Sequence, residues 1–389
     1  MYNFLKEQIE IYSSKSFRRL AEKNQIVANF EEKNVHITNR LTHSLEVGVV
    51  AKMITEKLPI DLNLNQEQIF NICLLHDIGH PSLGHFLEEK LNDILKDTKY
   101  YFEGNANNFV IIEKEKINLS DKTLVSLVKY PQELNDINKK GIYSYQFANI
   151  IQMLLKEYIR QQKGFLFNGY SKDNIEQINY IENKLLNKKN ISNQDLKTLQ
   201  SKFPNQDIRT LESKIMEAAD DIAYLTHDLA DFMIHTSQKN KSKSTLKKMI
   251  GIKQYSSDNP YMKYLYVLTS DNAKSISGQI RKIFINNISF DFETSNLILI
   301  NQEIEDFKLI LRKLLLKEFI YPECDILEKK FIDKDIYNKY FENIKDEEFI
   351  KEIVVSGTYR DLINNTDDID KKCRYMANYL AEKTDKWLF

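Results

Sequence analysis

The sequence predicts an all-α protein, and three observations carry that expectation. Ten Gly and six Pro among 389 residues are far below average usage, which leaves too few turn formers for a sandwich or barrel. Lys, Asn, Ile, Leu and Glu dominate instead, a composition that leans toward helix. Apolar residues then recur at helical spacing in the longer segments, and a 42% apolar content is enough to build a sizeable core.

Taken in order, the opening "MYNFLKEQIEIYSSKSFRRL" carries early acidic residues and no uninterrupted apolar stretch, so it does not read as a signal peptide. Residues 37–58 place Leu41, Leu45, Val49 and Met53 four apart, the stripe of an amphipathic helix from which His43 projects. A second helical run, 66–77, should stop at Gly79 and Pro81, leaving His76 and Asp77 at a helix C-terminus. Residues 159–206 turn polar, rich in Asn and Lys, and read as a solvated helical hairpin inserted into the domain. Helical periodicity returns in "LESKIMEAADDIAYLTHDLADFMI", "FKLILRKLLLKEFI" and "RYMANYLAEKTDKWLF". The expected organisation is one unit over 1–389, with a core at about 37–235 and a C-terminal helical region at about 236–389.

Charge and cysteines narrow the classes of function. Fifty-five basic against 56 acidic side chains give a formal charge of -1, so no net field draws the protein onto nucleic acid or a membrane. Any anionic ligand must be met by local cations. Cys73, Cys324 and Cys373 are scattered without a CxxC pair, as befits a reducing compartment. No run approaches the roughly 18 apolar residues of a membrane span, and a cytoplasmic location is expected.

The chemistry concentrates in "LLHDIGHPSLGHFLEE", residues 74–89, which holds three of the seven histidines. The adjacent pair His76-Asp77 offers an imidazole nitrogen and a carboxylate oxygen for a divalent cation. His80 and His85 follow, and His43 stands on the preceding helix. One more acid would balance the ion and leave a coordination position open. On a helical wheel, Asp220, Tyr224, His227, Asp228 and Asp231 form a polar stripe without Lys or Arg, opposite Ile222, Leu225, Leu229 and Phe232. A partner cation would explain that stripe.

The order His43, His76-Asp77, Asp220 resembles the H…HD…D signature of the HD phosphohydrolase superfamily. More specifically, the chain resembles the deoxyguanosine triphosphate triphosphohydrolases in "SKSFRRLAEKNQIV", "NRLTHSLEVG", "LLHDIGHPSLGHFLEE", "YFEGNAN", "LVKYP", "IMEAADDIAYLTHDL" and "YLAEKTD". The usual "GHPPFGH" of that family reads "GHPSLGH" here, with Ser82 and Leu83. The resemblance implies an HD-domain helical fold with a C-terminal extension. It also implies a divalent metal, Mn²⁺ or Mg²⁺ first and Fe²⁺, Ni²⁺, Co²⁺ or Zn²⁺ as alternatives, on His43, His76, Asp77 and Asp220.

By the same resemblance, His85, supported by Glu88, is catalytic, and His80 is a further active-site histidine. Lys129, Tyr130, Arg40 and Asn105 would meet the triphosphate, while Tyr224, Asp228 and Gln25 would meet the sugar. The implied reaction converts a deoxynucleoside triphosphate, dGTP foremost, to deoxynucleoside and tripolyphosphate by water attack at the α-phosphorus. A homo-oligomer, often a hexamer, and a nucleotide effector or single-stranded nucleic acid are implied partners. Two other readings stay open at this stage. One is an HD phosphohydrolase acting on a monophosphate or alarmone; the other is a single-strand-binding regulatory protein with a vestigial site, for which the basic "SKSTLKKM" at 242–249 would serve.

Overall fold

The computed structural model describes residues 4–25, 38–135, 139–167, 175–203, 207–238, 259–268, 271–291, 294, 296–321, 340–354 and 357–385. The basic segment 242–249 and Cys324 lie outside these residues. The described architecture is helical, as the composition and periodicity predict. One small antiparallel hairpin is added, β1 (Ile288–Asp291) on β2 (Asn296–Leu299), in the register Ile288↔Leu299 and Asp291↔Asn296. Among the described residues no helix is long and apolar enough to cross a membrane.

The helices that matter for the site begin where their sequences cap them. After α1 (Phe4–Ser13) and α2 (Lys15–Arg19), helix α3 runs from Arg40 to Lys57. Asn39 starts it by accepting the Thr42 amide at 2.9 Å, one of the orphan donors of a first turn. Helix α4 (Gln66–Leu75) is capped in the same way by Asn65 and ends on His76, as the sequence predicts. Helices α5 (His85–Leu95) and α6 (Gly104–Glu115) follow, α6 capped by the Glu103 carboxylate on Ala106 N at 2.7 Å.

Further along come α7 (Asp121–Val125), α8 (Ser144–Phe167), α9 (Ile175–Tyr180), α10 (Asn193–Lys202) and the long α11 (Leu211–Gln238). The helices α12 (Lys263–Tyr266), α13 (Ala273–Asn286), α14 (Gln302–Leu315), α15 (Glu347–Ile353), α16 (Gly357–Asn364) and α17 (Ile369–Ala381) complete the described chain. Within the polar stretch 159–206, Ile178, Ile181, Leu185, Leu196 and Leu199 are buried in the main core. Its described lysines, Lys163, Lys184, Lys188, Lys189, Lys197 and Lys202, are exposed and lie on the outer face of a packed helical segment.

Helix α3 differs from its expectation in one respect. The stripe Leu41, Leu45, Val49, Met53 is not the buried face: Val49 is 55% and Met53 37% exposed. The helix packs against both α4 and α11, and two neighbours call for two inner stripes. Ser44, Gly48, Ala51 and Thr55 make a buried small-residue seam, and a Cβ on Gly48 would sit 2.6 Å from the Phe70 ring of α4. His43, Val47, Val50 and Ile54 make the other seam, with His43 against His227 of α11.

Among the described residues a small cluster of Ala106, Leu134 and Tyr143 accompanies two large apolar cores. The larger gathers α3, α4, α7, α8, α11, α13 and α14. The smaller joins Leu83, Phe86, Leu87, Leu91 and Leu95, from the α5 region, to Tyr359, Met376 and Leu380 of the C-terminal helices. At about 25 cal/mol per Å² of buried apolar surface, each fully buried Leu or Phe contributes about 1.5–3 kcal/mol to holding its helix in place.

Candidate active site and metal centre

The end of α4 and the start of α6 build one corner of the site together. Asn108 donates through Nδ2 to His76 O at 2.7 Å and accepts from Gly79 N at 2.7 Å, while Asn107 donates to Gly79 O at 2.8 Å. These side chains satisfy the backbone left unpaired where α4 stops. The approach is so close that a Cβ on Gly79 would lie 2.3 Å from Asn108 N, so only glycine fits. His76 and Asp77 are thereby fixed in direction.

Three side chains converge there: His43, His76 and Asp77 each bring one potential ligand atom within 4.8 Å of the others, and all three are buried. Asp220, from α11, puts Oδ1 at 2.9 Å from His43 Nε2 and 3.4 Å from His76 Nε2. Its second oxygen accepts from Lys129 Nζ at 2.7 Å. His76 Nδ1 lies 2.6 Å from Cys73 O, which assigns the proton to that nitrogen and turns Nε2 inward. That Nε2 is buried without a hydrogen-bond partner, facing Asp77 Oδ1 at 3.5 Å. An orphaned imidazole nitrogen among carboxylate oxygens fits a divalent cation.

The electrostatics of His43, Asp220 and Asp77 agree with that donor set. His76 runs the other way: burial lowers its pKa, but Asp77 and Asp220 outweigh burial and raise it, a shift that a bound cation would oppose. Burial lowers the pKa of His43, and His227 adds to the effect, so the ring is held neutral as a ligand must be. Burial alone would raise Asp220, but Lys129, His76 and His43 outweigh it and hold the carboxyl well below its ordinary range. Asp77 is depressed in the same manner, burial being overcome by His76, His80 and Arg40. Arg40 donates to Asp77 Oδ2 at 2.6 Å.

A cavity of about 490 Å³ opens over this cluster. Of the expected substrate-binding residues, Gln25, Arg40, Asn105, Lys129, Tyr130 and Tyr224 line it. Asp77, His80, His85 and Asp220 reach it as well. His43 and His76 lie behind the wall, and Asp228 is fully buried there, its Oδ1 2.9 Å from His227 Nδ1. His80 is buried with Nδ1 3.2 Å from Asp77 Oδ1. His85 is 77% exposed, its Nδ1 3.7 Å from Glu88 Oε2. Glu88 also accepts weakly from Gly104 N at 3.4 Å.

The sequence reading missed several participants. Lys140 and Arg312 add two cations to the cavity wall, and Leu316 and Ile320, on a π-helical turn that continues α14, add an apolar side. Such turns are frequent at functional sites. His227 was seen only as part of a stripe, yet its Nε2 lies 2.8 Å from His43 Nδ1. If His43 presents Nε2 inward, Nδ1 carries the proton and His227 Nε2 accepts it, which orients the ring. The Asn-Asn doublet in "EGNANNF" is the sequence signal for the Gly79 cradle.

One backbone feature stands out. Leu83 has φ 60° and Gly84 φ 57°, two left-handed residues in succession just before α5. For a leucine this costs about 1–2 kcal/mol. The other positive-φ non-glycines, Asn63 and Lys116, sit at helix C-caps, where that conformation is ordinary.

Residues 40–225 match the HD domain family model. That segment, which reads as an HD domain by this match, contains the whole cluster from His43 to Asp220. It is similar to proteins called deoxyguanosinetriphosphate triphosphohydrolase-like protein. One from Haemophilus influenzae strain PittGG is 29% identical, covering 73% of this chain and 68% of the relative. One from Actinobacillus succinogenes is 29% identical over 59% of this chain and 57% of the relative. One from Vibrio parahaemolyticus is 32% identical over 59% of this chain and 54% of the relative. The chain thus spans about two thirds of the first of these relatives and little more than half of the other two.

Proposed function

We propose that this protein is a metal-dependent deoxynucleoside triphosphate triphosphohydrolase, with dGTP as the first substrate to test. The observation that carries the reading is a single cavity onto which Asp77 and Asp220 of the buried His/Asp cluster, an exposed imidazole and four cations open. His43, His76, Asp77 and Asp220 are the proposed ligands of a divalent ion, Mn²⁺ or Mg²⁺ foremost. Bound there, the ion supplies Lewis acidity toward a phosphate oxygen. Arg40, Lys129, Lys140 and Arg312 offer the local positive charge that a triphosphate needs in a nearly neutral protein, Arg40 as a fork and the lysines as point charges.

His85 is the proposed proton carrier. It is accessible, it has Glu88 beside it, and it lines the same cavity as Asp220 and Lys129. It would move a proton from the attacking water or onto the departing O5′. Gln25 Oε1 and Asn105 Oδ1 are buried acceptors without partners, which supports their addressing substrate hydroxyl or water donors, because a buried acceptor left unmade is costly. Tyr224 lines the cavity and supplies an aromatic edge to the sugar side.

The test is incubation with each dNTP and each NTP plus Mn²⁺ or Mg²⁺ in ¹⁸O water, with products separated by chromatography. Deoxynucleoside and labelled tripolyphosphate are expected. Label in orthophosphate or pyrophosphate, or turnover of monophosphates alone, would overturn the assignment.

A further inference from the structure

The closing stretch "YLAEKTD" plays no part in the chemistry above, yet its last residue reaches the loop that carries the chemistry. Asp385 is buried. Its Oδ1 accepts from Leu83 N at 3.2 Å and its Oδ2 from Asn24 N at 2.7 Å. Leu83 is the left-handed leucine ahead of His85, and Asn24 precedes Gln25. One carboxylate therefore holds the backbone beside both.

Neighbouring bonds repeat the pattern. Ser82 Oγ donates to Lys383 O. The buried Lys23 Nζ donates to His80 O at 2.8 Å and to Ala381 O at 2.9 Å. Lys23 O in turn accepts from Arg40 N at 2.8 Å. Three segments, 23–25, 80–83 and 381–385, are thus tied through one carboxylate, one ammonium and one hydroxyl. A two-oxygen acceptor is the group that such a junction needs, since two separate amides must be met at once.

We infer that Asp385 is a positioning residue of the active site: by accepting from Leu83 N and Asn24 N together, it fixes His85 and Gln25 relative to each other across the cavity. This rests on the hydrolase reading proposed above only for its kinetic consequence. The clamp itself has a readout that needs no substrate.

Asp385→Ala leaves both amides without their acceptor, and Asp385→Asn keeps one acceptor oxygen. Hydrogen exchange followed by mass spectrometry or NMR should show at least about 10-fold faster exchange at residues 23–25 and 80–85 in the alanine variant. The asparagine variant should be intermediate, and Mn²⁺ affinity should stay at the wild-type level in both, because no proposed ligand is touched. Turnover should fall about 10- to 100-fold through kcat, the scale of misplacing a catalytic group by about an ångström. Should the alanine variant fail to fold, Ser82→Ala removes a single tie and should show the same local exchange pattern with a smaller drop in kcat.

Exchange unchanged at Asn24 and Leu83 would overturn the inference, and so would loosening spread evenly over the chain with loss of metal. Faster local exchange with an unaltered kcat would overturn the positioning role. If the wild-type protein hydrolyses no nucleoside triphosphate, the proposed function fails, while the exchange and metal measurements still decide the clamp.

Discussion

His76 and His85 come from one short stretch of sequence, yet they sit in opposite environments. His76 is buried, its Nδ1 tied to a backbone oxygen and its Nε2 turned inward, on a helix of the larger core. His85 is mostly exposed at the first turn of α5, a helix that packs into the smaller core with the C-terminal helices. The contrast matches two chemical demands. A proposed metal ligand must aim a lone pair at one point, and burial with a fixed partner does that. A proposed proton carrier must reach water and a leaving group, so burial would disable it.

The comparison can be broken at either half, and the largest effect is expected in the metal half. Asp77→Ala removes a proposed ligand and leaves Arg40 without its carboxylate. Mn²⁺ binding measured by calorimetry and turnover should disappear together, with kcat/KM down about 10³-fold or more. Retained metal with lost turnover would shift Asp77 out of the ligand set.

In the open half, His85→Ala should lower kcat by about 10²- to 10⁴-fold and leave Mn²⁺ affinity as in the wild type. Near-normal turnover would remove His85 from the mechanism and Glu88 with it.

His227 sharpens the boundary between the halves, because it contacts a proposed ligand without reaching the cavity. Electron paramagnetic titration of Mn²⁺ should show His227→Ala binding about 10- to 100-fold more weakly. His227→Gln, which keeps an acceptor near His43 Nδ1, should recover most of the loss. Equal affinity in all three proteins would make His227 a packing residue.

The smallest effect concerns Glu103, whose carboxyl is pushed up to about 7 by burial and then by Glu88. Its folded value lies above its unfolded one, so the folded state holds the extra proton. The stabilisation is present below about pH 4.5 and is lost as pH rises toward 7. Glu103→Gln should remove that slope. Denaturation at pH 5 and pH 8 should show the variant gaining about 1–3 kcal/mol relative to wild type at the higher pH; parallel curves would mean that Glu103 is already ionised in the fold.

The larger core and the proposed ligands were legible because their signals are local. Asn39, Asn65 and Gly79 mark helix ends by their own chemistry, and His76-Asp77 is a pair in the sequence. The inner faces of α3 were not legible in the same way. A wheel finds one apolar stripe, whereas a helix between two neighbours buries two, and one of these is written in Ser, Gly, Ala and Thr. The attachment of α5 to C-terminal helices, the role of His227 and the reach of Asp385 were illegible for a different reason: each depends on partners far away in the chain, which no periodicity encodes.

That distance has a consequence for how the molecule comes into being. The carboxylate that fixes Leu83 and Asn24 is made 302 and 361 residues after them. At about 5–20 residues per second of synthesis, the loop before His85 waits on the order of 15–60 s for its tie. Asp220, which joins His43 and His76, is translated well before that. The nascent chain therefore carries every proposed metal ligand before it carries the tie of the loop, and full turnover should begin only once translation has passed residue 385.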